Sequence, residues 1–163
     1  MVDHIAYVYG FNLMNAETLV KDVSSEQMVE QPNGVVNHPA WSLGHLVVAA
    51  DGLGQALGLT SNLPDGWDKT FATGGEPSNQ VSDFPSKEEI LGALREHHER
   101  NTDAIKNIDP ASLAAPHPNE NVRSYFPTLG DMVVFLMTGH EMDHLGQIAA
   151  WRRAMGLGPA SRS

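Results

Sequence analysis

The sequence predicts an all-α protein, a four-helix bundle with long crossover connections. Three observations carry this: apolar residues recur at helical spacing in four segments, strand-like alternation is nearly absent, and two long stretches collect the residues that break helices. At 163 residues the chain is expected to form one domain over residues 1–163. A chain of that size buries roughly 68–70% of its unfolded surface, enough to fold without disulfides. It has no cysteine, so any metal would be held by nitrogen and oxygen donors.

The first helix is expected over residues 2–21, where Ile5, Val8, Tyr9, Leu13, Ala16, Leu19 and Val20 form one apolar stripe. Ser24 or Ser25 then caps a short helix through Glu30, and Gln31-Pro32-Asn33-Gly34 breaks the chain. Asn37-His38-Pro39 reads as a cap followed by a first-turn proline, opening a second helix that continues to about Gly58. Gly44, Gly52, Gly54 and Gly58 each cost that helix roughly 1 kcal/mol relative to alanine, which points to a tight helix crossing or to space left for a ligand.

Residues 60–85 carry Pro64, Gly66, Gly74, Gly75, Pro77 and Pro85 and read as a long connection. Its Trp67 and Phe71 serve either as parts of a lid or as packing anchors. Ser86-Lys87-Glu88-Glu89 is a capping box that starts the third helix, with Leu91, Leu94, His98, Asn101, Ile105 and Ile108 on its inward seam. Asp109-Pro110 ends it, and a second connection runs to Pro127. Thr128-Leu129-Gly130-Asp131 opens the fourth helix, which stops at Gly156.

Twenty acidic against ten basic residues give a formal charge of -10, which repels phosphate backbones and anionic membrane surfaces. No nucleic-acid or membrane partner is expected. The start of the chain lacks the pattern of a secretory signal, and the longest apolar run, residues 132–137, is too short to span a bilayer. The expected setting is soluble and cytoplasmic.

The chemistry concentrates on the fourth helix, where Leu129, Val133, Leu136, His140, His144, Gln147, Trp151 and Met155 share one stripe. His140 and His144 interrupt an otherwise apolar face. Residues four apart on a helix have Cβ atoms roughly 5–6 Å apart, so both rings can reach one ion. Burying two imidazoles costs free energy unless they find partners, and a metal satisfies both. His45 lies on the inward stripe Trp41, His45, Val48, Gly52, Ala56 of the second helix and can close a three-nitrogen face. His38 is roughly 10 Å away along the same axis and reads as a helix-start residue. His98 reads as a hydrogen-bonded core or rim residue, with substrate contact as the other possibility. His4, His97 and His117 carry no comparable signal.

His140-Glu141-Met142-Asp143-His144 also fits the HExxH pattern of zinc peptidases, in which the glutamate activates a metal-bound water. The rest of that pattern is missing. No histidine, aspartate or glutamate follows Leu145, and Gln147 and Ala150 occupy positions where one branch of those enzymes has a glycine and a third histidine. Glu141 is retained as the candidate catalytic residue, a base or a partner behind the ligands. The plain alternative for it is a helix-surface acid.

The segments Asn37-His38-Pro39-Ala40-Trp41-Ser42-Leu43-Gly44-His45-Leu46 and His140-Glu141-Met142-Asp143-His144-Leu145-Gly146-Gln147 resemble the DinB/YfiT-like superfamily of four-helix-bundle metalloproteins. The resemblance implies an up-down-down-up bundle and a homodimer. It also implies a triad of His45, His140 and His144 around a divalent ion such as zinc or nickel. Relatives include thiol-dependent transferases and isomerases and metal-dependent hydrolases. The expectation is therefore an enzyme acting on a small-molecule substrate, in which the ion activates a low-molecular-weight thiol cosubstrate or water. The alternatives are a non-catalytic, stress-associated metal-binding bundle and a metal-free helical interaction module.

Overall fold

Helical periodicity in the sequence becomes four long helical rods in the computed structural model, which describes residues 2–161. Met1, Arg162 and Ser163, at the ends of the single-domain expectation, lie outside the described residues. In chain order the elements are α1 (Val2–Val20), α2 (Pro39–Ala56), the one-turn α3 (Trp67–Thr70), α4 (Lys87–Asn107) and the short α5 (Pro110–Ala114). The last rod is α6 (Leu129–Val134), a π-helical turn (Phe135–His140) and α7 (Glu141–Ala154), which run on without a break. No strand occurs among the described residues beyond an isolated bridge between Pro116 and Thr128. α1 and α2 each pack against both α4 and α7, so the pairs α1/α2 and α4/α7 sit diagonally across the bundle.

Helix boundaries follow from local chemistry. Both capping boxes form: Ser86 Oγ accepts the Glu89 N–H while the Glu89 carboxylate accepts the Ser86 N–H, and Thr128 and Asp131 repeat the exchange. At α2 the cap is His38 and not Asn37, because His38 Nδ1 accepts the Trp41 N–H at 3.2 Å. Asn37 instead donates across to Gln147 Oε1 at 3.1 Å. α1 has no basic residue in its own last turn, and its terminal carbonyls are met from elsewhere. Lys87 Nζ donates to the carbonyls of Val20 and Val23, and Arg152 donates to that of Leu19 while gripping Asp22 through both terminal nitrogens.

The core is divided. One apolar cluster gathers Ala16, Leu19 and Val20 of α1, Ala40, Trp41, Leu43, Leu46 and Val47 of α2, Ile90, Leu91 and Leu94 of α4, and Leu145, Ile148 and Trp151 of α7. The other gathers Tyr9, Leu53, Ile105, Leu129, Val133 and Met137. Between them each long rod buries polar groups: Asn12 on α1, His45 and Asp51 on α2, His97, His98 and Asn101 on α4, Glu141 and His144 on the last rod. The bundle is thus apolar at both ends and polar across its middle.

The π turn corrects the stripe expected for the fourth helix. Met137 is fully buried where Leu136 was expected, and Glu141 points inward, because a π turn takes more residues per revolution than an α turn and shifts the inward phase. Asn12, buried on α1, feeds its amide into this turn, donating to the Met137 carbonyl at 3.3 Å. Replacing Asn12 by leucine takes that bond from the carbonyl, at an expected cost of about 1–3 kcal/mol in urea unfolding. An unchanged unfolding midpoint would show that the amide contributes nothing to the turn.

Candidate metal centre

His140 ends the π turn and His144 follows one turn into α7, so both rings leave the last rod toward α2. His45 meets them from α2. Ring centroids are 4.8 Å apart for His140 and His144, 4.9 Å for His45 and His144, and 5.2 Å for His45 and His140. One nitrogen from each ring lies within 4.8 Å of the others, a separation that ordinary imidazole rotations can close onto one ion with bonds of about 2 Å. The structure therefore brings together the three histidines picked from the sequence and forms a candidate three-histidine metal site.

Hydrogen bonding prepares these rings unequally. His45 Nδ1 donates to the Phe71 carbonyl at 2.9 Å, which fixes the tautomer and leaves Nε2 with its lone pair free. On His140 and His144, Nδ1 is buried with no hydrogen-bond partner. Orphaned imidazole nitrogens inside a protein are costly, and a cation is the partner that suits a neutral ring. The donor set therefore fits a divalent ion. Burial pushes His140 down to about 4, helped by the His144 and His45 rings and opposed by Asp143. Burial and the His45 ring lower His144 as well, against Asp143 and Gln147.

The long connection 60–85 builds one wall. Trp67 and Phe71 are buried as packing anchors, and Phe71 also supplies the carbonyl that orients His45. Its ring lies over Gly44, where a Cβ would come within 2.2 Å of Phe71 Cε1. That glycine is thus explained by close packing, as is Gly54, whose added Cβ would meet Asn101 Oδ1 at 2.9 Å. The connection is tied again where His38 Nε2 donates to the Ser78 carbonyl at 2.8 Å. At its start, Asp51 accepts from Ser61 Oγ and from the Asn62 N–H, with His97 Nε2 at 3.3 Å from the same carboxylate. Trp41 stacks on His45 at 5.0 Å and closes the inner side.

Glu141 is not the surface acid that the plain reading favoured. It is 3% exposed, and its Oε1 lies 2.8 Å from His98 Nε2. His98 is stacked on Tyr9 with centroids 3.6 Å apart, and Asn101 donates to the Tyr9 hydroxyl. Burial holds the Glu141 carboxyl above the usual carboxylate range, with His98 and Asn12 opposing, and burial together with Glu141 raises the Tyr9 phenol. The narrow gap between Glu141, His140, Tyr9 and Leu136 has no room for a water. Of the remaining histidines, His4 is exposed, while His97 and His117 are buried and hydrogen-bonded within the fold. Sequence reasoning missed the His98–Glu141 pair and the Phe71 carbonyl, because long-range partners leave no local pattern.

Two measurements test this geometry. Gly44→Ala is expected to lower stability: overpacking costs about 1–3 kcal/mol against roughly 1 kcal/mol gained in helix propensity, and zinc affinity should fall as Phe71 shifts. Equal or higher stability with unchanged zinc affinity would remove Phe71 from the account. The second concerns pH. The unfolded chain protonates His140 near pH 6.5, whereas the folded chain resists until about 4. The unfolded state thus binds more protons through this window, and stability falls as pH drops from about 6.5 to 4. The melting temperature of metal-free protein should decline there, less so in His140→Gln.

The profile of the DinB superfamily matches residues 9–148, which take in all of α2 and α4, most of α1, the first half of α7 and all three clustered histidines. No curated protein and no solved structure gives a match to the chain. A match over most of the length joins the all-helical architecture and the histidine cluster to one conclusion: this chain belongs to the DinB superfamily.

Proposed function

We propose that the chain is a metal-dependent enzyme in which His45, His140 and His144 hold one divalent ion, zinc or nickel, and a small thiol cosubstrate is activated there against an electrophilic small molecule. One observation carries this reading: among the described residues the cluster holds three histidines and no fourth histidine, aspartate or glutamate. Structural sites fill their fourth position with protein, whereas catalytic sites keep it open. When bound, the ion supplies Lewis acidity that favours the deprotonated form of a thiol or water brought to it.

The residues divide the remaining work. His45 is held in one tautomer by Phe71, and burial keeps His140 and His144 neutral, so that their nitrogens are available near pH 7. Glu141 and His98 form a hydrogen-bonded pair behind the ligands that fixes the rod at His140. Thiol chemistry is preferred to hydrolysis because Glu141, the acid of the HExxH-like segment, is engaged with His98 and not free to serve as a base for water. A chain without cysteine must draw that thiol from solution. The setting is the cytoplasm, where small thiols stay reduced, and the form is a homodimer, for which exposed Tyr7 and Met14 on α1 offer an apolar strip.

Protein purified without a metal-affinity tag should carry close to one ion per chain, and His45→Ala and His140→Ala should each lose it in elemental analysis. Turnover of an aryl halide reporter should require both the ion and an added low-molecular-weight thiol. Full metal content in His45→Ala would remove that ligand, and ester hydrolysis indifferent to thiol would overturn the transferase reading.

A further inference from the structure

The three histidines are not equally covered. His45 and His144 are 6% and 7% exposed, walled by Trp41, whereas His140 is only half-buried, so solvent reaches the cluster on its side. Beside His140, with ring centroids 5.6 Å apart, lies Phe135. Phe126 packs against Phe135 at 5.3 Å, bringing the connection before α6 to the same place. Phe135 is 42% exposed although the core is one turn away. A large aromatic ring left open beside a candidate metal centre forgoes its own burial, and such apolar surface next to convergent polar groups is how small-molecule sites are built.

Resting on the function proposed above, we infer that Phe135, backed by Phe126, is a specificity-determining shelf that takes the apolar, preferentially aromatic, part of the electrophilic substrate. The position suits this role. A group engaged at the cluster from the His140 side has the Phe135 ring beside it, 5.6 Å from the His140 ring, where an aryl ring gains offset or edge contact and a small polar group gains nothing. Substrates whose reactive carbon is attached to a ring are therefore preferred over compact polar electrophiles.

The test uses two chelators that engage a metal through the same group and differ only in their tail, acetohydroxamate and benzohydroxamate. Each is titrated into cobalt-loaded full-length protein and followed by visible absorption. Benzohydroxamate is expected to bind more tightly, and Phe135→Ala to reduce that preference by about tenfold while leaving acetohydroxamate affinity unchanged. Phe135→Leu should keep part of the preference, and Phe126→Ala, which leaves the π turn intact, should weaken it in the same direction. A preference unaltered in Phe135→Ala overturns the shelf. The same result accompanied by a change from dimer to monomer in sedimentation overturns it in favour of a contact between two copies. If wild-type protein takes up no cobalt, the metal reading beneath it fails, an outcome distinct from a loaded centre that ignores the tail.

Discussion

Polar groups buried at mid-height in a helix bundle must find partners or destabilise the fold, and this chain puts such groups on all four of its long rods. Apolar clusters above and below the layer supply the burial that keeps it in place. Among the described residues, five of the seven buried side-chain atoms without a hydrogen-bond partner belong to Asn12, His98, His140, Glu141 and His144, so the unmet demand gathers at one level of the bundle. A few of these groups face one another, as Glu141 and His98 do. The Nδ1 atoms of His140 and His144 have no such hydrogen-bond partner, which makes the site a property of the whole cross-section and not of one motif.

Support for the layer comes largely from outside the four rods. The connection 60–85 is fastened by Asp51 at its start, by the His45 ring at Phe71 and by His38 at Ser78. Histidine thus serves here both as candidate ligand and as tether, and the two roles meet in His45, where one nitrogen holds the connection and the other is left for an ion. Strongly acidic as the chain is, two of its few cations, Lys87 and Arg152, are directed inward to the end of α1. That arrangement anchors the helix carrying Asn12 and Tyr9.

Much of this was legible in the sequence where the signal was local. The capping boxes at Ser86 and Thr128, the break at Pro32, and the rise of α2 at Pro39 depend on neighbours in the chain and emerged where expected. His45, His140 and His144 could be grouped because helical spacing places each on an inward stripe. Less legible was whatever rests on distant partners or on departures from ideal helix. Leu136 and Met137 exchange places because the π turn is written in no propensity scale, and Glu141 looked like a surface acid when counted at 3.6 residues per turn. Gly44 announced a close approach but could not name the Phe71 ring that makes it.

The π turn sets the phase between the two halves of the last rod. Ahead of it Leu129 and Val133, and within it Met137, face one apolar cluster; beyond it, Leu145, Ile148 and Trp151 face the other. Winding the same residues as an uninterrupted α ladder would swing everything downstream through about 100° relative to what precedes it, because the wider turn takes up about one residue more per revolution. The π turn therefore acts as an angular spacer. A chain lacking it would have to give up either the seating of its last helix or the convergence of His140 and His144 on His45.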